Sequence, residues 1–264
     1  MELLVPLDPS PLAPWTTRLV DGLRMVDVRD ADADRMERLA GVVRDFQSRK
    51  ELASQRATEA LDRDGVLDMM MSVRAARPDS AFAADFLDLE RLYRLTRARR
   101  PELVLEFGSG WSTFVLAQAL VDNGSGHLVS VEAEEAWASS NRRAMPRHLA
   151  ERCSLLHCRP QVSTHGPIPV FVHEGVPDCV PDLVYLDGPA LFPAVRASAD
   201  ILRLERALRP GAAIVVDGRH DNVIFLASQL ARRWSIRSEG LRCLSRDTHV
   251  VDAVTHASVL VLEA

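Results

Sequence analysis

Short apolar runs alternate with helical patterns from Glu102 to the end of the chain, and this alternation constrains the fold more than any other feature. Near-continuous apolar runs are typical of strands buried on both faces of a parallel sheet. Apolar residues at spacings of three and four predict the amphipathic helices between them. The alternation therefore predicts an α/β fold, a doubly wound parallel sheet wrapped by helices. The predicted strands are 102–107, 127–132, 153–157, 182–187 and 212–217, and the predicted helices are 112–121, 134–145, 193–208 and 220–233.

The C-terminal segment departs from this alternation. Residues 234–245 and 249–262 are both strand-like, and only Arg246-Asp247-Thr248 separates them. A parallel crossover needs a dozen or more residues, so the last strand is expected to return antiparallel. The complete prediction is a mostly parallel seven-stranded sheet with an antiparallel last strand.

Residues 1–78 are predicted to form an N-terminal arm and helical appendage to a main domain that spans residues 79–264. The first twenty residues are rich in proline, which favours an irregular arm on the surface. Apolar residues recur at helical spacing over 30–63 and again over 67–73, and Asp79-Ser80 predicts the N-cap of the next helix. We expect the apolar stripe to pack against the main domain, with a substrate cover or a homodimer contact as alternatives.

Composition and charge exclude several classes of partner. The formal net charge is −5, which gives no basic face for nucleic acid. No apolar run reaches the roughly 20 residues that span a bilayer. The N-terminus lacks the basic region of a secretion signal, and the four cysteines show no metal-ligand spacing. We therefore expect a cytoplasmic protein that acts on a small molecule, without a nucleic-acid or membrane partner.

The first predicted strand ends in a glycine-rich turn, EFGSG, at residues 106–110. In a doubly wound sheet, ligands bind at the carboxyl ends of the strands. Gly108 and Gly110 allow a tight turn and a close approach of the backbone to a ligand. Ser112 or Thr113 is expected to cap the following helix and can hydrogen-bond a ligand carboxylate or hydroxyl. Thr113 also stands where a dinucleotide-binding fingerprint has its third glycine.

Two acids narrow the choice of ligand. Glu106 would repel a pyrophosphate but would suit a cationic amino group, and Glu132 ends the second strand, where an acid can bind both hydroxyls of a ribose. The pair indicates a nucleoside with positive charge and no phosphate, a description that S-adenosylmethionine meets. The alternatives are an NAD-dependent oxidoreductase, which shares the turn and the ribose acid, and a non-catalytic methyltransferase-like binding module.

Four segments resemble, in order, motifs of class I S-adenosylmethionine-dependent methyltransferases. LVLEFGSGWSTFVLA resembles their first motif in its FGSGxST variant, SVEAEEAWA the second, and PDLVYLDGP the fourth-strand motif. LRPGAAIVVDG is similar to the stretch that leads into and forms the fifth strand, so the resemblance covers about residues 80–264. It implies a Rossmann-like methyltransferase fold and S-adenosylmethionine as cofactor. The cofactor contacts that it implies are Glu106, Gly108, Ser109, Gly110 and Glu132, with Ser112 or Thr113 beside them and Asp187 next to the transferable methyl group.

Asp187 and Asp217 end the fourth and fifth strands, and two carboxylates at adjacent strand ends suit a hard cation such as Mg²⁺. A metal there would orient a diol and lower the pKa of its hydroxyl. The arrangement resembles the metal-dependent O-methyltransferases, whose fifth-strand motif carries an acid or amide after the first acid. Gly218 departs from that motif, so Asp221 or Asn222 would have to replace the missing ligand.

The metal-free alternative assigns deprotonation of the acceptor to Asp187 or to His220. A histidine suits this role because it titrates near neutral pH. The predicted reaction is in-line transfer of the methyl group to a small-molecule acceptor, most naturally a hydroxyl oxygen.

A Pro-rich segment at residues 159–181 is predicted to be a long loop at the ligand edge. Such loops often recognise substrate, and Phe171 and His173 would then be its contacts. The third strand is not followed by the acid that many family members place near adenine, so backbone groups or Gln161 are expected to hold that base.

Overall fold

A computed structural model describes residues 33–76, 84–190, 194–195, 197–244 and 251–263. Its helices are α1 (Ala33–Arg63), α2 (Val66–Ala76), α3 (Phe86–Arg99), α4 (Trp111–Asn123), α5 (Glu135–Ala144), α6 (Arg147–Ala150), α7 (Asp200–Leu204) and α8 (His220–Gln229). Its strands are β1 (Leu103–Phe107), β2 (His127–Glu132), β3 (Cys153–His157), β4 (Pro160–His165), β5 (Ile168–His173), β6 (Leu183–Leu186), β7 (Ala213–Asp217), β8 (Trp234–Leu244) and β9 (Val251–Leu262).

Seven strands form one sheet in the order β3-β2-β1-β6-β7-β9-β8. The first five strands in this order pair in parallel, and β9 runs antiparallel to both β7 and β8. The predicted α/β fold, with a mostly parallel seven-stranded sheet and an antiparallel last strand, is therefore confirmed. The strand order reverses between β1 and β6, so a crevice for a ligand is expected at the carboxyl ends of these two strands.

Both faces of the central strands β1, β6 and β7 are buried, which explains why these strands are continuously apolar. Successive side chains of β1 point to opposite faces, so Val104 packs with α4 while Leu105 packs in the core that contains Phe225 of α8. Leu61 and Met70, from α1 and α2, belong to the same core as Val104. The helical segment thus packs directly on the sheet domain, as its apolar stripe predicts. A domain boundary near residue 78 stays a prediction.

The Pro-rich segment is not an irregular loop. β4 and β5 pair antiparallel over their whole length as a separate two-stranded sheet, with a turn at Gly166 (φ +59°). β-Branched residues such as Val162 and Val170 favour strands, and the prolines are tolerated because neither strand lies inside a larger sheet. The loop prediction for this segment was wrong.

The helix predicted over 193–208 is also shorter than expected, because α7 begins only at Asp200. Residues 197–199 extend along β5 instead: the Phe171 amide donates to the Ala197 carbonyl, and the Ala199 amide donates to the Phe171 carbonyl. These two backbone hydrogen bonds replace those of the missing first turns.

Asp85 caps α3, because its side chain accepts a hydrogen bond from the Leu87 amide at 3.0 Å. Asp79-Ser80, the N-cap expected from the sequence, lies outside the described residues, as do the N-terminal arm and the link at 246–248. None of the helices in the described part of the chain is long and apolar enough to cross a bilayer.

Candidate active site

A cavity of about 700 Å³ opens at the carboxyl ends of β1, β2, β6 and β7. Small-molecule sites typically have volumes of about 300–1,000 Å³, so a nucleoside-sized ligand fits. Its walls come from these strand ends, from the first turn of α3 and from the starts of α4 and α5: Ala84, Asp85, Asp88, Leu89, Gly108, Ser109, Gly110, Trp111, Ser112, Glu132, Ala133, Glu134, Trp137, Tyr185, Asp187, Gly188, Pro189, Ala190 and Asp217. The edge of the sheet predicted to bind the ligand therefore carries the cavity.

The two glycines of the turn serve different purposes. Gly108 has φ +95°, and a Cβ placed on it would lie 2.6 Å from the backbone nitrogen of Gly188. The turns that follow β1 and β6 therefore touch backbone to backbone. A Cβ on Gly110 would meet no described protein atom closer than 4.0 Å, and Gly110 lines the cavity. Gly108 is required for packing, whereas Gly110 leaves the backbone open to a ligand.

Glu106 lies beneath the turn and does not line the cavity. Its fully buried carboxylate accepts hydrogen bonds from the hydroxyls of Ser112 (2.6 Å), Thr113 (2.6 Å) and Ser130 (2.5 Å). Burial raises the pKa of Glu106 to about 7, although the three hydroxyls oppose the shift. The acid thus holds the strand end, the turn and the helix start together.

Thr113 also lies below the cavity wall and explains why no third glycine is present. Its Oγ1 accepts a hydrogen bond from the Gly110 amide at 2.9 Å while donating to Glu106. A glycine here would leave the Gly110 amide without this partner and the carboxylate one donor short. The threonine is therefore part of the turn's own hydrogen bonding.

Glu132 lines the cavity at the end of β2 and is 7% exposed. Its Oε2 accepts hydrogen bonds from the amide (2.8 Å) and the hydroxyl (2.7 Å) of Ser109, and its Oε1 accepts one from the Glu134 amide (3.0 Å). Two residues of α5 fix Ser109 from behind: Trp137 Nε1 donates to its carbonyl at 2.6 Å, and Asn141 Nδ2 donates to its hydroxyl at 2.8 Å. Sequence reasoning missed both, although their spacing of four residues places them on one face of the helix after β2.

Asp187 and Asp217 stand on the wall formed by β6 and β7. The Tyr185 hydroxyl donates to Asp217, and the Arg219 guanidinium lies 3.9 Å from a carboxylate oxygen of Asp187 while donating to the Asp187 carbonyl. Burial and the charge of Asp217 raise the pKa of Asp187 to about 7, against the opposing effect of Arg219. Burial likewise raises the pKa of Asp217. This wall therefore carries two carboxyl groups that hold their protons more readily than exposed ones.

The residues present do not fit a Mg²⁺ site. Asn222, one of the two proposed replacement ligands, is fully buried and exchanges two hydrogen bonds with the backbone of Ser198. Within the ranges that the structure describes, no three His, Cys, Asp or Glu side chains come together in a group that could hold a metal ion. Asp187 and Asp217 share a wall, but the described residues bring no further side-chain ligand to them of the kind that a hard cation requires.

Several predicted contacts lie elsewhere. Phe171 and His173 are 3% and 2% exposed and do not line the cavity, so the prediction that they contact substrate was wrong. The cause is β5, which buries this face and pairs His173 Nδ1 with Asp200 at 2.9 Å. Gln161 donates to Glu174 in the β4–β5 hairpin, away from the cavity. His220 begins α8, and its side chain is outside the described part of the chain.

Residues 105–218 match a family model described as a methyltransferase domain. These residues make up less than half of the chain. Its matched segment includes the glycine turn, Glu132, Asp187 and Asp217, and leaves α1 to α3 and the two C-terminal strands outside. No curated protein matches the chain at a significant level.

Solved structures share the fold of this chain. The S-adenosylhomocysteine-bound methyltransferase PaMTH1 from Podospora anserina is 13% identical with a TM-score of 0.51, over 81% of this chain and 96% of its own. A protein from Klebsiella pneumoniae, provisionally named an O-methyltransferase, is 19% identical with a TM-score of 0.50, over 81% of this chain and 99% of its own. At these identities the likeness establishes the fold alone.

Proposed function

We propose that this chain transfers the methyl group of S-adenosylmethionine to a small-molecule acceptor, most naturally a hydroxyl oxygen. The observation that carries the proposal is the cavity, which combines an open glycine turn with a fixed acid, Glu132, inside a methyltransferase domain. A neighbour of the same fold, PaMTH1, was crystallised with S-adenosylhomocysteine, the product that S-adenosylmethionine becomes. The part of the cavity near Glu132 is assigned to the cofactor, and the part near Asp187 is assigned to the acceptor.

Glu132 is the residue assigned to the ribose. A carboxylate has about four lone-pair positions, and the turn fills three of them through Ser109 and Glu134. One position is left for a ribose hydroxyl, and the three hydrogen bonds hold the carboxylate in place to receive it. Gly110 gives the amino-acid part of the cofactor room to approach the backbone. Glu106 and Thr113 act from below by holding the turn.

The cofactor supplies an electrophilic methyl carbon on its sulfonium, which an acceptor oxygen attacks in line. The contribution of the chain is to hold the acceptor against that carbon, and positioning of this kind is worth several kcal/mol. Asp187 lines the cavity and has a pKa of about 7, so at neutral pH it can accept the hydroxyl proton. His220 is the alternative base. No step is assigned to Mg²⁺, because the ligand set does not fit it.

Calorimetry with S-adenosylhomocysteine tests the cofactor assignment. Tight binding is expected, and Glu132→Ala should weaken it by about 100-fold or more, since hydrogen bonds to a charged group contribute about 1.5–3 kcal/mol and the turn loses its anchor as well. Glu132→Gln, which keeps the shape, should fall between the two. If the unmutated protein does not bind S-adenosylhomocysteine, the proposal fails.

Turnover is measured separately, as release of S-adenosylhomocysteine from S-adenosylmethionine with a panel of hydroxylated acceptors. Release that depends on the acceptor distinguishes an enzyme from a non-catalytic binding module. Enhanced NADH fluorescence with the unmutated protein would instead favour the oxidoreductase alternative.

A further inference from the structure

Arg219 lies behind the cavity wall that carries Asp187 and Asp217. It directly precedes α8, and its side chain is only 9% exposed, whereas the side chain of Asp187 is 51% exposed and lines the cavity. Arginine is rarely buried to this extent unless its guanidinium is paired. The partners of this guanidinium therefore indicate the role of the residue.

The guanidinium binds the turn after β6 at two points. Its Nη2 donates to the carbonyls of Asp187 and Pro189, the second at 2.6 Å, and these two residues flank Gly188. Its Nε lies 3.9 Å from Oδ1 of Asp187, which is close enough for charge attraction and too long for a hydrogen bond. Arg219 thus holds the main chain of the turn more firmly than it holds the carboxylate.

Stability alone does not explain the burial of this cation. The described residues offer no hydrogen-bond partner to Nε or Nη1 of Arg219, although both atoms are buried. Burial lowers the pKa of Arg219, whereas the charges of Asp187 and Asp217 raise it. A buried guanidinium with two unpartnered nitrogens stabilises a fold less than a fully paired one. The position of Arg219 is better explained by the turn that it holds.

The main chain of Asp187 is held from two directions. Its amide donates to the carbonyl of Phe107 at 2.9 Å, on the side of the cofactor turn, and its carbonyl accepts from Arg219, on the side of β7. A shift of Asp187 toward or away from the cofactor turn would break one of these hydrogen bonds. The half-exposed carboxylate therefore projects into the cavity from a fixed backbone.

We infer that Arg219 is a positioning residue of the methyl transfer: it holds the main chain of Asp187 so that the carboxylate meets the acceptor hydroxyl beside the methyl group. The inference rests on the proposed function and deepens it. Arg219 does not line the cavity, so it acts through Asp187. In the step itself the hydroxyl oxygen forms the new bond to carbon, the carbon–sulfur bond breaks, and the hydroxyl proton passes to Asp187; Arg219 keeps its protons.

Arg219→Met tests this role, because methionine fills much of the same space without the charge or the donors. With an acceptor that the unmutated protein methylates, kcat should fall by about 10- to 100-fold, since a misplacement of about 1 Å can cost about 100-fold. The Kd for S-adenosylhomocysteine should change by less than about threefold, because the loss acts on the reacting geometry and not on cofactor binding. Arg219→Lys keeps the charge and N–H donors and should recover part of kcat.

Arg233→Met is the matched control. The Arg233 side chain is 85% exposed, pairs with Glu263 at 3.6 Å and does not line the cavity. Its replacement should leave kcat, the Kd for S-adenosylhomocysteine and the Tm unchanged.

Amide hydrogen exchange, followed by NMR, measures the hold on the turn without any acceptor. Exchange of the Asp187 and Gly188 amides should be about tenfold faster in Arg219→Met, because the turn loses one of its two attachments. The Ser109 amide, which Glu132 binds, should exchange at an unchanged rate.

The outcomes separate this inference from the proposed function. If the unmutated protein does not bind S-adenosylhomocysteine, the proposed function fails and the positioning role fails with it. If turnover is present but Arg219→Met retains its kcat, or Arg219→Lys is no more active than Arg219→Met, the positioning role is overturned while the methyltransferase assignment stands. A loss of S-adenosylhomocysteine affinity as large as the loss of kcat would also overturn it, since Arg219 would then support the whole site.

Two remaining outcomes are decided by the second variant and the second measurement. If Arg219→Met does not fold, Arg219→Lys should still show a lowered kcat with an unchanged Kd for S-adenosylhomocysteine, and an unchanged kcat would overturn the inference. If S-adenosylhomocysteine binds but no acceptor in the panel is methylated, unchanged exchange at Asp187 would overturn the inference, and faster exchange would support it.

Discussion

Replacement of Gly108 by alanine should destabilise the whole domain. The new Cβ would lie 2.6 and 2.7 Å from the backbone nitrogen and Cα of Gly188 and 2.9 Å from the carbonyl carbon of Asp187, where ordinary contact begins at 3.4 Å. None of these atoms is the end of a flexible side chain, so β1 or β6 must move. Overpacking of this kind costs about 1–3 kcal/mol, and the positive φ of +95° adds about 1–2 kcal/mol for an L-residue. The expected loss is about 4 kcal/mol.

Thermal unfolding measures this loss. At about 3 °C per kcal/mol for a chain of this size, Gly108→Ala should lower the Tm by about 12 °C. Gly110→Ala is the matched control two residues away. The backbone of Gly110 has φ −169°, which any residue can adopt, and a Cβ there would meet open space. The free energy of unfolding of this variant should therefore fall by about 1 kcal/mol at most, the cost of a poorer N-cap for α4.

The two variants should separate stability from binding. Gly110→Ala should stay folded but bind S-adenosylhomocysteine weakly, since its methyl group would stand where the ligand approaches. A Gly108→Ala protein with an unchanged Tm would refute the claim that the turns after β1 and β6 are in contact. Normal cofactor affinity in Gly110→Ala would refute the assignment of an open backbone at that position.

Three further variants test the hydrogen bonding below the turn. The pKa of Glu106 is raised from 4.5 to about 7 in the folded protein. Its contribution to the free energy of unfolding is therefore fully present below pH 4.5 and is lost as the pH rises through 7. The shift corresponds to about 3 kcal/mol. The free energy of unfolding of Glu106→Gln, measured by urea titration from pH 5 to 8, should therefore fall less with rising pH than that of the unmutated protein, and parallel curves would contradict the buried acid. Thr113→Val should cost about 2 kcal/mol, because the Gly110 amide and Glu106 each lose a partner, whereas Thr113→Ser should retain most of the stability; equal Tm values for the two variants would contradict this.

The parallel part of the sheet could be predicted from the sequence because its strands are short, mostly apolar runs. Burial on both faces makes β1 or β6 recognisable without knowledge of its neighbours. The three-residue link at 246–248 was enough to give the direction of the last strand, since no parallel crossover is that short. Local rules determine these features, and the structure agrees with them.

The hairpin and the short α7 could not be predicted in this way, because each depends on a partner distant in sequence. Ala197 and Ala199 leave a helical pattern to bond with Phe171, more than twenty residues earlier. The prolines of the hairpin suggested a loop, but pairing between β4 and β5 outweighed that local preference. Tertiary hydrogen bonding overrides propensity in both segments.

The candidate site shows the same limit at the level of single residues. The pattern placed Glu106 and Glu132 at the correct strand ends, but it could not show that only Glu132 lines the cavity. Glu106 is buried below the turn because neighbouring hydroxyls bind its carboxylate. One of these hydroxyls belongs to Ser130 on the neighbouring strand β2, which the sequence around Glu106 does not reveal. Trp137 and Asn141 were missed because their partner is the backbone and side chain of Ser109, which no spacing in the sequence reveals.

The contact between Gly108 and Gly188 links the two halves of the site. Gly108 begins the turn that carries the proposed cofactor contacts, and Gly188 directly follows Asp187, the candidate base. The amides of Asp187 and Gly188 both donate to the carbonyl of Phe107, so the base is tied to the residue before the cofactor turn. A side chain on either glycine would push the two strand ends apart and would move Asp187 relative to the methyl group. Because positioning is the main source of rate in the proposed reaction, this glycine pair is as much a part of the catalytic geometry as the acids themselves.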